Sequence, residues 1–108
     1  MILIIGGFAQ GKESFAKEKY PDRKIYDNLA KIFRQRMKED GEPEKEIMEL
    51  VEEDPDAVFI SDEVGSGVVP MDKFERDYRE RLGRCLCELA KRADTVERVF
   101  CGIGTKIK

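Results

Sequence analysis

Residues 1–14 read MILIIGGFAQGKES, and this order of residue types constrains the chain more than any other stretch. The run Met1–Ile5 is apolar throughout and closes on two glycines, the pattern of a strand buried on both faces of a parallel sheet. Gly6, four residues, Gly11 and Lys12 then follow with the spacing of a phosphate-binding loop (P-loop), which belongs between such a strand and a helix. Glycines let backbone N–H groups face an anion, and the next helix N-terminus adds partial positive charge. Lys12 would reach the outer phosphates. Gly6, Gly7, Gly11 and Lys12 are therefore the phosphate-binding candidates.

The position after the lysine normally carries a Ser or Thr whose hydroxyl binds Mg²⁺. Here it is Glu13, and the hydroxyl comes one residue late, at Ser14. One residue is about 100° of helix turn, so Ser14 does not simply replace it. Glu13 can be read three ways: as a direct Mg²⁺ ligand, as a favourable charge at a helix N-terminus, or as a resident anion that repels nucleotide phosphates. The expected cofactor is Mg²⁺ with ATP or GTP, held by Gly6, Gly7, Gly11, Lys12, Glu13 and Ser14.

Composition narrows the classes. At 108 residues the chain is expected to be a single domain, 1–108. Charged residues make up 40%, but 20 Lys and Arg stand against 23 Asp and Glu, a net −3. That balance offers no basic field for nucleic acid, and the charges read as coats for exposed helix faces. No apolar run approaches the roughly 20 residues of a membrane span. The start also lacks the features of a signal peptide, so a cytoplasmic location is expected. An odd cysteine count without a secretory signal argues against a disulfide framework. Cys85 and Cys87 fall in one helical stretch and point about 200° apart, too far to grip one metal together. With no histidine, Ser-His-Asp triads, Cys-His pairs and mixed zinc sites are excluded.

Further along, helical patterns run from Gly11 to about Tyr20, from Asp27 or Asn28 as a cap through Leu29, Ile32, Phe33 and Met37, and over about 44–53. A longer one runs over about 70–93, opened by Pro70. Its stripe of Met71, Phe74, Tyr78, Leu82, Cys85 and Leu89 reads as core. KIY at 24–26 and DAVFISDE at 56–63 read as strands, TVERVFCGI as strand-like, and GTKIK as a short basic tail. Alternating strands and helices predict an α/β protein, a P-loop three-layer sandwich with a small, mostly parallel sheet flanked by helices. Ligands of such sheets bind beyond the carboxyl ends of the strands, where the loops 6–14 and 62–69 would both emerge. AVFISDE there resembles the strand that delivers an acidic residue to a metal, making Asp62 and Glu63 catalytic or metal candidates beside Glu13. Gly65 and Gly67 either approach a ligand or simply make the turn.

GGFAQGKES, ISDEVGSGVVP, FERDYRERLGRCLCELAKRAD and VFCGIGTKIK together resemble the adenosylcobinamide kinase/adenosylcobinamide-phosphate guanylyltransferase family of cobalamin biosynthesis. EVGSGVVP followed by YRERLGR is the most specific part, and the resemblance covers residues 1–18 and about 57–108. It implies a P-loop α/β fold and an enzyme that phosphorylates the aminopropanol arm of adenosylcobinamide and then transfers GMP to it. It also implies a homotrimer with nucleotide and corrinoid as partners. By the same resemblance Gly6, Gly7, Gly11 and Lys12 go to phosphate, Glu63 to the neighbourhood of the metal or substrate, and Gly65, Gly67 and Pro70 to loop shape.

The departures are specific. The family's middle segment, with a histidine that becomes guanylylated, has no counterpart, so guanylyl transfer by that route is expected to be absent. Glu13 replaces the family's hydroxyl, and Asp62 its usual Asn before EVG. The expected function is kinase-type phosphoryl transfer to adenosylcobinamide or a related alcohol, with Lys12, Asp62 and Glu63 as catalytic residues. A catalytically degenerate nucleotide- or corrinoid-binding homologue is the alternative, and a plain interaction module the third reading.

Overall fold

The computed structural model describes residues 1–63 and 72–108. Along the chain run β1 (Ile2–Gly6), α1 (Lys12–Lys19), β2 (Ile25–Tyr26), α2 (Leu29–Lys38), α3 (Pro43–Glu53), β3 (Val58–Asp62), α4 (Lys73–Arg92), β4 (Thr95–Phe100) and β5 (Ile103–Lys106). The sheet order is β2-β3-β1-β4-β5, with β5 alone antiparallel to its neighbour. This is the α/β sandwich with a mostly parallel sheet that the alternation of elements predicts.

Side-chain alternation along the strands builds the two cores. Leu3, Phe59 and Val96 face one side, under Leu29 and Phe33 of α2, Ile47 of α3, and Tyr78, Leu82 and Leu89 of α4. Ile2, Ile4, Val58, Ile60 and Val99 face the other side, under Ala16 and Phe15 of α1. The central strands β1 and β3 are buried on both faces, which explains their unbroken apolar runs. Tyr26 stacks on its register partner Phe59 with ring centroids 4.7 Å apart.

Caps set the helix boundaries. Asn28, at φ 57°, accepts from the Lys31 N–H and starts α2. Pro43 stands at the head of α3. Pro70, expected to open the long helix, lies outside the described residues together with Met71. Among the described residues α4 begins at Lys73, where the Asp72 carboxylate accepts from the Phe74 N–H at 2.8 Å and caps it. On its inner stripe Tyr78, Leu82, Cys85 and Leu89 are buried. Cys87 is exposed, and burial pushes the Cys85 thiol up to about 11.

GTKIK is not a tail. Cys101 at φ 51° and Gly102 at φ 74° meet the requirement of a type I′ turn, positive φ at both central residues. They fold Ile103–Lys106 back as β5, so that Phe100 pairs with Ile103 and Glu97 with Lys106. Glu97 is 1% exposed, yet it is not stranded. It accepts from the Lys19 ammonium and, at 2.7 Å, from the Tyr20 hydroxyl, tying the end of α1 to β4. On the opposite side, Arg81–Glu44 at 2.7 Å and Arg36–Glu46 at 2.6 Å lace α3 to its neighbours. Among the described residues no helix is long and apolar enough to cross a membrane.

Candidate functional site

Parallel strands align their carboxyl ends, so the ends of β1, β2, β3 and β4 lie along one sheet edge. There Phe8, Ala9, Gln10, Gly11, Lys12, Glu13 and Ser14 line a cavity of about 260 Å³, closed by Asp27 and Asn28 after β2 and by Ile60 and Asp62 of β3. Two glycines make the loop possible. A Cβ on Gly6 would sit 2.5 Å from the Val99 carbonyl oxygen. Gly11, the N-cap of α1, lies at φ 81°, a backbone region that a β-carbon makes costly.

Lys12 is the centre of the site. It is 8% exposed, its Nζ lies 2.8 Å from Asp62 Oδ1, and it donates to the Gly7 carbonyl oxygen at 2.6 Å. Register places Gly6 opposite Asp62, which is why the end of β3 delivers a carboxylate to this lysine. The other two acidic candidates pair with other cations than Lys12. Glu63 pairs with Arg98 at 3.2 Å, while its backbone N–H donates to the Gly6 carbonyl. Glu13, half-exposed, pairs with Lys17 at 2.7 Å, one turn along α1. That hydrogen bond holds the Glu13 carboxyl below the usual carboxylate range. Ser14 also lines the cavity and is exposed. Gly65 and Gly67 lie outside the described residues.

Asp27 is the residue that sequence reasoning undervalued, reading it only as a possible helix cap. It lines the cavity, and burial raises its pKa, followed by the neighbouring Glu13 carboxylate, with Asp62 adding to the rise and Lys12 opposing it. The one available signal was its place directly after KIY, at the carboxyl end of a strand. Three carboxylates, Glu13, Asp27 and Asp62, therefore border a cavity with one buried ammonium.

A resident metal cage does not fit these residues. No group of three His, Cys, Asp or Glu among those described is arranged to hold a metal ion. Mg²⁺ commonly uses one or two carboxylates and completes its shell with phosphates and water. Asp62, beside Lys12, suits a Mg²⁺ that arrives with a phosphate chain.

The sequence matches the family model "Cobinamide kinase / cobinamide phosphate guanyltransferase" over residues 25–107. That match contains Asp27, Asp62, Glu63 and the β4–β5 hairpin, and starts after the Gly6–Ser14 loop. Over 51 residues the chain is 45% identical to the bifunctional adenosylcobalamin biosynthesis protein CobU of Salmonella typhimurium. It is 43% identical over 51 residues to the protein of the same name from Escherichia coli. Each of these matches covers 47% of this chain and 28% of the relative, so the shared stretch is a minor part of either relative.

Proposed function

We propose, for a chain that belongs to the cobinamide kinase / cobinamide phosphate guanyltransferase family, that it works as the kinase half of that family's chemistry. In this reading the Gly6–Ser14 loop holds the phosphates of ATP or GTP, and a cobinamide-type alcohol accepts the terminal phosphoryl group. The observation that carries it is the buried Lys12 ammonium, aimed into the loop cavity and shared with Asp62 at 2.8 Å. A cavity of about 260 Å³ is smaller than the roughly 300–1,000 Å³ of whole-ligand pockets, which suits a phosphate chain. The base and the acceptor would then lie beyond it.

The acceptor oxygen attacks the terminal phosphorus, the bond to the bridging oxygen breaks, and the nucleoside diphosphate leaves with that electron pair. The hydroxyl proton goes to a carboxylate at the cavity, for which Asp62 is the candidate, since Glu63 is paired with Arg98 and does not line it. Such transfer depends on positioning and charge stabilisation, so Lys12 swinging from Asp62 to the outer phosphates is its main requirement. Mg²⁺ bound with the nucleotide would neutralise phosphate charge, a need sharpened by three bordering carboxylates. These 108 residues contain no histidine, so the proposal leaves out guanylyl transfer through a guanylylated histidine.

One feature favours a second reading, binding without turnover: the hydroxyl position of the loop carries Glu13, whose carboxylate is engaged by Lys17. Calorimetric titration with ATP and GTP, with and without Mg²⁺, tests both readings, followed by product analysis with cobinamide. Binding that Lys12→Ala abolishes, together with diphosphate and phosphorylated cobinamide as products, is the expected result. Binding without product selects the second reading. No binding of either nucleotide at millimolar concentration overturns both.

A further inference from the structure

The loop is gripped from outside the strand–helix unit that carries it. Gln10 meets the turn between β4 and β5 with both of its oxygens. Its carbonyl oxygen accepts from the Gly102 N–H at 2.8 Å, and its side-chain Oε1 accepts from the Cys101 N–H at 2.8 Å. The two backbones also touch: a Cβ on Gly11 would lie 3.4 Å from the Gly102 Cα. Gln10 is flanked by Ala9 at φ 57° and Gly11 at φ 81°, so it sits between two left-handed residues. Left-handed backbone at an alanine is unfavourable and persists only where the surroundings hold it. The hairpin is a firm anchor for this purpose, because β5 also packs on α1. A Cβ added to Gly104 would lie 2.1 Å from the Phe15 ring.

We infer that Gln10 is a positioning residue that locks the phosphate loop to the Cys101–Gly102 turn, so that the β4–β5 hairpin presets the loop's shape before a ligand arrives. The consequence for affinity rests on the phosphate-binding reading above. A loop already held with its amides inward loses less freedom on binding, and that difference appears as affinity.

Amide exchange of the ligand-free chain tests the lock without any nucleotide. Gln10→Met keeps the length of the side chain and removes its acceptor oxygen, whereas Gln10→Glu keeps an acceptor. The Gly102 N–H reports on the lock because its own acceptor, the Gln10 carbonyl, survives both substitutions. In Gln10→Met, Gly102 is expected to exchange about fivefold faster, the factor for one ordinary hydrogen bond of about 1 kcal/mol. The amides of β1 and β3 keep their protection, and Gln10→Glu returns Gly102 to the wild-type rate. The Mg²⁺–ATP dissociation constant of Gln10→Met rises by a similar factor. An unchanged Gly102 rate in Gln10→Met overturns the inference, whatever the nucleotide does. If Gly102 responds as expected while the wild-type chain binds no nucleotide, the lock stands and the phosphate-binding reading falls.

Discussion

Replacing Glu13 by serine puts a hydroxyl where phosphate loops carry one and removes a charge from the cavity rim. The carboxylate is ionised at neutral pH, because the Lys17 hydrogen bond holds its pKa low. Two unit charges at 4 Å interact by about 1 kcal/mol in water and about 4 kcal/mol at an effective dielectric of 20. Glu13 is half-exposed, so the aqueous end applies, and the Lys17 ammonium at 2.7 Å already offsets part of its field. A phosphate chain about 4 Å away is repelled by no more than this aqueous figure, equivalent to at most roughly fivefold in affinity. Titration of Mg²⁺–ATP into Glu13→Ser is therefore expected to show binding tighter by up to that factor. Added salt should narrow the difference, because the effect acts through solvent. Glu13→Gln separates the two contributions: charge removal alone should recover most of the gain, with the hydroxyl adding the remainder only when Mg²⁺ is present. Weaker Mg²⁺-dependent binding in Glu13→Ser would refute the reasoning and make the carboxylate a metal ligand. Unchanged affinity would show that the side chain plays no part in the site.

Two further outcomes follow from acidic side chains in defined surroundings. Glu97→Ala should destabilise the fold by about 1.5–3 kcal/mol in urea unfolding, the range for hydrogen bonds to a charged group, because Lys19 is half-exposed and regains water. Glu97→Gln, which still offers Tyr20 an acceptor, should lose about half as much, and equal losses for the two variants would contradict this assignment. Asp27 has a raised pKa in the fold, so its contribution to stability is fully present below the ordinary aspartate pKa and is lost as pH rises through the raised value. Asp27→Asn should accordingly melt higher than the parent at pH 7, with the gap closing as the pH falls into the acid range. A gap that widens on acidification would reverse the assigned sign.

What could be read from the sequence was whatever a few adjacent residues decide. β1 and β3 announce themselves because a strand buried on both faces must be apolar at every position. The inner stripe of α4 shows because Tyr78, Leu82, Cys85 and Leu89 repeat at helical spacing. β5 did not show, because its four residues are largely exposed and carry no alternation. It exists because Cys101 and Gly102 turn the chain back, and Cys-Gly is not a dipeptide that announces a hairpin. The same limit divides the site. Lys12 is legible at the head of α1 and Asp62 at the end of β3, but their pairing depends on β3 lying beside β1, across the insertion of three helices and β2. Asp27 gains its chemistry only when β2 joins the far side of β3. Gln10 and Cys101 are 91 positions apart, and Glu97 and Tyr20 are 77 apart. Each of these long-range contacts ties β4 or its turn to the loop or to α1, the two elements that hold Lys12. The part of the chain hardest to read locally is therefore the part that fixes where Lys12 of the Gly6–Ser14 loop can point. Substitutions in the β4–β5 hairpin should for that reason disturb ligand binding more than their distance in sequence from residue 12 suggests.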